Sequence, residues 1–287
     1  MRVLPFRIPK AEQSAIHLQI DDEPYFYDKL HQHPERQLTV IERGEGTLIY
    51  GDFVGRFAPG DVFLMGSNVP HVFRCAEQFY ARNEERAALS RSIFFDWEGM
   101  GTAFTQLPEF RKVDAFLAQA EQGGVATGKL ASEISDLFDT IFRKKGVERF
   151  NLFMTVLDKL SRSKLWKPLS ALPNRNLKEL EGQRLDDIFQ FTMTNYQRPI
   201  ALEELAELTH MNKAAFCRYF KQHTRKTYVE FLNEYRVNRA CSLLLQADRT
   251  VAAVAYEVGF NNLSHFNRKF KAVMKQTPKG FIAGAKG

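Results

Sequence analysis

At 287 residues, 44% of them apolar and 26% charged, the chain has room for two ordinary domains and the composition of a folded protein rather than a disordered or fibrous one. Apolar runs such as Ile200–Leu202 and Leu243–Leu245 fall far short of a membrane span. Arg, Pro, Lys, Glu and His interrupt the N-terminal stretch, so no secretory signal is expected and the cytoplasm is the expected compartment. The net charge of +6 is unevenly placed: from Arg184 onward 16 Lys and Arg stand against 9 Asp and Glu, a net +7, whereas residues 1–183 carry −1. A basic domain of this kind usually meets nucleic acid, a solvated surface being the plain alternative. Cys75, Cys217 and Cys241 form no CxxC pair, which suits a reducing compartment and argues against a disulfide framework or zinc knuckle.

From Leu38 to His71 the sequence runs in short β-type stretches, LTVIERGEG, TLIYGD, GRFAPGD, VFLMG and NVPH, with glycine turns at the spacing of a small antiparallel barrel or sandwich. Ser92 to Trp97 reads as one more strand. After Gly101 the periodicity becomes helical: Val113, Phe116, Leu117 and Ala120 recur at i, i+3, i+4, i+7, as do Ile134, Leu137, Phe138 and Ile141, and Leu152–Leu160 follows. Such stripes are expected to bury against each other or against a second subunit. Residues 167–183, with Pro168, Pro173, Asn174, Asn176 and Gly182, read as a linker.

The remainder is helical and repeats itself. Asn212, Phe216, Arg218, Phe220 and Lys221 recur as Asn262, Phe266, Arg268, Phe270 and Lys271 at an offset of 50, while Leu205-Ala206 corresponds to Val254-Ala255 at 49. One copy thus has a turn one residue longer, with Gly259 the natural extra residue because glycine takes a positive φ freely. Each copy reads as a short helix, a turn, and a second helix capped by Asn, which is the helix-turn-helix unit whose second helix enters the major groove. In that helix the Phe pairs must share the buried face. Arg218 and Arg268 point elsewhere and suit guanine edges, and Lys213, Lys221, Lys269 and Lys271 suit phosphates. Tyr228–Gln246 reads as one spacer helix of about 28 Å, able to set two reading heads about one DNA turn apart.

The runs ELAELTHMNKAAFCRYFKQHT, NEYRVNRACSLLL and VAYEVGFNNLSHFNRKFKAVMKQTP resemble the AraC/XylS family of bacterial transcription regulators over roughly Leu185 to Phe281. By that resemblance the DNA readers fall at Ala214, Cys217 and Arg218 in the first unit and at Ser264, His265, Asn267 and Arg268 in the second, with Lys213, Lys221, Asn262 and Lys271 beside them. Three departures stand out: Ala201 where Thr250 caps the equivalent helix, Arg225 and Lys275 where a glycine is expected after each recognition helix, and Tyr228 where the second copy has Pro278.

His31-Gln32-His33, Gln37, Gly44-Glu45-Gly46, Pro59-Gly60-Asp61 and Pro70-His71 resemble the cupin pattern, a small β-barrel that serves as the effector domain of many family members. In enzymatic cupins two histidines, a glutamate and a third histidine hold a metal; here Gln37 takes the glutamate's place, and a neutral amide is the weaker ligand. The two resemblances together imply an α+β two-domain chain. A cupin-like ligand-binding and dimerisation domain spans 1–166 (barrel to about 100, helices 105–165), and the all-α DNA-binding domain with two helix-turn-helix units spans 184–287 after the 167–183 linker. The function implied is that of a regulator, not an enzyme: an activator that binds promoter DNA as a homodimer, recruits RNA polymerase and responds to a sugar or similar small polar molecule at His31, His33, Gln37 and His71, with no metal and no cofactor. The competing class is a metal-dependent cupin enzyme fused to a DNA-binding module, and a third is an architectural DNA binder.

Overall fold

The computed structural model describes residues 14–80, 87–170, 179–246 and 249–286. Its strands are β1 (Ile16–Glu23), β2 (Arg36–Arg43), β3 (Gly46–Tyr50), β4 (Phe53–Phe57), β5 (Val62–Met65), β6 (His71–Cys75), β7 (Ala88–Phe95), β8 (Gly124–Ala126) and β9 (Trp166–Pro168). The N-terminal half adds two single-turn helices, α1 (Glu77–Tyr80) and α2 (Thr102–Thr105), and three longer ones, α3 (Arg111–Gln119), α4 (Lys129–Arg143) and α5 (Gly146–Arg162). The C-terminal helices are α6 (Glu179–Asn195), α7 (Leu202–Leu208), α8 (Lys213–Thr224), α9 (Tyr228–Leu244), α10 (Val251–Glu257), α11 (Leu263–Met274) and α12 (Pro278–Lys286).

The β region is N-terminal as expected, but among the described residues it does not close into one barrel. The strands divide between a six-stranded sheet in the order β1-β7-β2-β5-β8-β9 and a three-stranded one. Strands β8 and β9, absent from the sequence reading, extend the larger sheet past β5. Their pairing draws Trp166–Pro168, expected at the junction with the linker, into the sheet opposite Gly124–Ala126, and α6 begins already at Glu179; residues 171–178 of the expected linker lie outside the described residues.

Strand β2 shows how the sheet positions a site. Successive side chains of a strand point to opposite faces. Leu38 and Val40 join Val62, Leu64, Ile93, Phe95 and Trp97 in one cluster with Val113, Phe116 and Leu117 of α3, Leu130, Ile134, Phe138 and Ile141 of α4, and Phe153, Val156, Leu157 and Leu160 of α5. The helical stripes are therefore spent on the sheet and on each other. The alternate residues Gln37, Thr39 and Ile41 face the other way, into a cavity.

The described residues divide into two compact units: those within 14–45 and 57–170 form one, and those within 179–286 form the other together with the hairpin Gly46–Arg56. The hairpin departs from the expected division. Asn238 of α9 donates from Nδ2 to the Val54 carbonyl at 3.1 Å, and Asn233, Arg236, Asn238 and Arg239 are all buried. In the same unit Phe189 of α6 stacks on Phe231 of α9 with centroids 5.0 Å apart, so the helix ahead of the first helix-turn-helix is part of its core.

Candidate functional site

The two helix-turn-helix units are built alike. Asn212 Oδ1 accepts from the Ala215 amide at 2.8 Å and Asn262 Oδ1 from the His265 amide at 3.0 Å, so each asparagine caps its recognition helix. Phe216, Phe220, Phe266 and Phe270 have no exposed surface. Thr250 Oγ1 caps α10 by accepting from the Ala253 amide. At the equivalent Ala201 no side-chain oxygen exists, and only the reverse bond remains, from the Ala201 amide to Glu204 Oε1 at 2.8 Å. Arg225 and Lys275 end α8 and α11 in the left-handed conformation, with φ 57° and 59°, the cap geometry that favours glycine.

The turns correct one expectation. The Met211 amide donates to Ala206 O and the Phe260 amide to Ala255 O, while His210 and Gly259 both take positive φ, 55° and 90°. Gly259 is thus the counterpart of His210, and the extra residue of the second turn is Asn261.

Lys213, Ala214, Cys217, Arg218 and Lys221 are exposed on α8, and Ser264, Asn267, Arg268 and Lys271 are exposed on α11. At spacings of three and four these residues share one helix face in each unit. Two expected readers stand apart. Asn262 is engaged as the cap, and the half-buried His265 ring lies 5.5 Å from the Phe260 ring, its pKa lowered first by burial and then by Arg268 and Lys269. Lys213 Nζ donates to Glu203 Oε1 at 2.7 Å, which ties the recognition helix to α7.

The second cluster lies in the sheet unit. His31 and His71 form an isolated antiparallel bridge, each amide donating to the other's carbonyl at 3.1 and 2.9 Å. His33 follows in an irregular stretch rather than a strand, so the expected shared strand face is met by a bridge and a loop. The rings nevertheless converge, with centroids 4.4 Å (His31–His71), 5.1 Å (His33–His71) and 6.1 Å (His31–His33) apart. Gln37 reaches them from β2, its Oε1 3.1 Å from His33 Nε2, and its Nε2 donates to Thr39 Oγ1 at 2.8 Å and Ser92 Oγ at 3.2 Å. All four expected pocket residues are thus brought together, and all four are buried. Burial lowers the pKa of His31 to about 4 against the opposing pull of the Lys29 carbonyl; it lowers that of His33, and that of His71 further, with the neighbouring histidines adding to the His71 effect. The rings are therefore neutral near pH 7.

A cavity of about 70 Å³ opens beside them. Sequence reasoning missed most of its wall: Gln19 and Asp21 of β1, Tyr27, Thr39, and Ser90 and Phe94 of β7. Gln19, Asp21, Thr39 and Ser90 come from the cross-strand rows Gln19–Ser92–Thr39 and Asp21–Ser90–Ile41, and Phe94 lies opposite Gln37. The signal available was a polar residue at every second position of Gln37–Thr39 and Ser90–Ser92.

Comparison with known proteins bears on the helical unit and on the whole chain. Residues 205–283 match the family model of the helix-turn-helix domain. An uncharacterized HTH-type transcriptional regulator of Bacillus subtilis, YdeC, is 30% identical over 264 residues, covering 89% of this chain and 86% of the relative. The HTH-type transcriptional activator RhaS of Pectobacterium carotovorum is 22% identical over 262 residues, covering 87% and 85%. Among solved structures, a probable AraC family transcriptional regulator from Rhodopseudomonas palustris covers 36% of this chain and 97% of its own at 26% identity, with a TM-score of 0.34. With a duplicated, Asn-capped helix-turn-helix in its helical unit and a relative of this identity along most of its length, the chain belongs to the AraC/XylS family of DNA-binding transcription regulators.

Proposed function

We propose that this regulator reads promoter DNA through the exposed faces of α8 and α11 and answers to a small, uncharged polar molecule bound in the sheet cavity. The observation that carries the effector half is the cavity wall. His31, His71, Gln37, Thr39, Ser90 and Gln19 offer donors and acceptors, Phe26, Tyr27, Phe73 and Phe94 offer ring faces, and among the described residues no Lys or Arg lines it. A carboxylate or phosphate would enter without a counter-charge beside Asp21, whereas hydroxyl groups find partners throughout. A sugar or similar polyol is the ligand class this chemistry supports.

For the DNA half, Arg218 and Arg268 are the base readers, with Asn267 and Ser264 beside Arg268, while Lys221 and Lys271 meet phosphates. Ala214 and Cys217 have little to hydrogen-bond with and serve the thymine methyl or the backbone, so sequence preference rests mainly on α11. On this reading the protein acts as a homodimer through α3–α5 and as an activator that recruits RNA polymerase; the relative from Pectobacterium is named a transcriptional activator. The test is a thermal scan of the full chain against neutral polyols, sugar acids and sugar phosphates, followed by promoter binding with any compound that responds. Only the neutral set is expected to raise Tm, in proportion to RT ln(1 + [L]/Kd); a response confined to the anionic set overturns the reading.

A further inference from the structure

A groove between α3, the end of α5 and β9 shares no residue with the sheet cavity. Lys112, Ala115, Phe116 and Gln119, spaced three and four apart, turn one face of α3 towards it. Leu160–Ser163, at the end of α5, and Trp166 of β9 complete its wall. Its volume of about 520 Å³ is that of a small-molecule site.

Trp166 is fixed there as a platform. Its indole lies against Gly124, where an added Cβ would collide with Cζ2 and Cε2, and the Phe116 ring meets it edge to face with centroids 5.4 Å apart. The side chain is half-buried, so part of the ring stays open to the groove. A large ring held in place before a ligand arrives takes the ordering cost out of binding. The charge beside it is positive: Lys112 and Arg162 line the groove and, among the described residues, no Asp or Glu does. Arg162 donates from Nε to Asp158 Oδ1 at 2.7 Å, which leaves both of its Nη groups, and Lys112 forms no ion pair among the described residues. The C-terminus of α5 presents about half a negative charge, less than these two cations supply. Ser163 Oγ accepts from the Leu165 amide at 3.1 Å and keeps its own hydrogen to donate.

We propose that this groove binds a nucleoside monophosphate, its base stacked on Trp166 and its phosphate held by Lys112 and Arg162. A phosphate monoester carries about −1.5 to −2 charge near pH 7, which two cations from separate helices match better than they match a carboxylate or a neutral sugar. The Arg162 fork suits two phosphate oxygens at once. A base of any identity offers a flat face to the indole, and Gln119 and Ser163 supply partners for the ribose hydroxyls. An inorganic anion alone would leave Trp166 and most of the volume to water. The site gives the regulator a second input, one that stands or falls apart from the polyol reading of the sheet cavity.

The experiment is a titration of the full-length protein with AMP, GMP, CMP and UMP, followed by tryptophan emission and repeated by calorimetry. Trp97, the other tryptophan of the chain, is 1% exposed and donates from Nε1 to Asp114, so a ligand-dependent signal reports Trp166. None arises from the DNA-binding half, which has no tryptophan. Saturable quenching by at least one nucleotide below about 1 mM is expected, with its nucleoside and inorganic phosphate each at least about tenfold weaker. Lys112→Gln and Arg162→Gln should each weaken it about tenfold, whereas Lys145→Gln, which removes the same charge about 25 Å away along α5, should leave it unchanged. Trp166→Leu should weaken it at least about fivefold by calorimetry; Lys112 and Arg162 are exposed, so their variants keep the result readable should Trp166→Leu fold poorly. No saturation up to about 5 mM with any of the four nucleotides overturns the proposal. So does inorganic phosphate or benzoate binding as tightly as the best nucleotide, or a loss in Lys145→Gln equal to that in Lys112→Gln and Arg162→Gln. A tryptophan signal that changes with protein concentration alone also overturns it and gives the groove to a second copy of the chain.

Discussion

Gly259 and His210 occupy the same place in the two copies of the motif, each closing the turn behind the first helix with a positive φ, 90° and 55°, but only Gly259 is hemmed in. A Cβ built there would lie 2.5 Å from Tyr196 O and 2.8 Å from Gln197 O, both backbone atoms that cannot step aside. Gly259→Ala is expected to destabilise the DNA-binding unit by about 2 kcal/mol or more. Urea unfolding of the full chain checks it; an unchanged midpoint for the C-terminal transition would show that the turn relaxes freely.

The opposite sign is expected after the recognition helices. Arg225→Gly and Lys275→Gly place glycine at φ 57° and 59°, relieving the left-handed strain at the expense of a more flexible unfolded chain. Each should stabilise by about 0.5 kcal/mol, seen as a small rise in Tm, provided promoter affinity is followed separately because both changes remove a cation.

Tyr228 replaces the proline of the second copy for a reason visible in its contacts. Thr192 Oγ1 donates to the Ile188 carbonyl at 2.7 Å, so at 2.9 Å the Tyr228 hydroxyl is the donor to Thr192 Oγ1, tying α9 to α6. Tyr228→Phe should cost about 1 kcal/mol. Burial raises the phenol pKa from 10.0 to about 12, so the folded state holds this proton more tightly than the unfolded chain does. The corresponding stability is complete below pH 10, declines as the pH rises through about 12, and should be missing from the alkaline melting profile of Tyr228→Phe.

On DNA, Arg268→Ala should lose about 1–3 kcal/mol at the promoter and relax its base preference, whereas Lys271→Ala should weaken specific and random DNA alike and flatten the salt dependence by about one unit. Competition assays at several salt concentrations separate the two. Equal losses on both kinds of DNA for Arg268→Ala would remove its role as a reader.

A fragment from about residue 175 to Gly287, which retains α6 and its Phe189–Phe231 stacking, should bind a promoter more weakly than the full chain at matched salt, because it lacks the second set of contacts of the proposed dimer. Equal affinities would argue against dimerisation through α3–α5.

Much of the helical unit is legible in the sequence because its signals are local. An Asn caps the helix it precedes, Phe216 and Phe220 are one turn apart, and a left-handed residue follows its own helix. The assignment of the extra turn residue to Gly259 failed because glycine's freedom draws attention to the wrong position; the paired amide bonds from Met211 and Phe260 show that the insertion is Asn261. In the sheet unit the motif points to His31, His33, Gln37 and His71, which do cluster, but not to Asp21, Thr39 and Ser90 of the cavity wall. They reach the cavity through strand pairing across 50 to 70 residues, as in the Ser90–Asp21 bond with its separation of 69, and no local pattern encodes a partner so distant. Strands β8 and β9 were missed because three residues each, GVA and WKP, are too few to show a period.

Strand β2 separates two environments by the thickness of one polypeptide. Gln37 and Thr39 meet whatever fills the cavity, while Leu38 and Val40, fully buried, belong to the close-packed layer that holds α3, α4 and α5. A close-packed core shifts as a unit rather than absorbing displacement locally, so a molecule that pulls on the Gln37 amide pulls on the same backbone that seats those helices. On the proposed reading of the cavity, binding and its mechanical readout share a single strand, and occupancy of the cavity reaches the helical layer through that strand's own backbone.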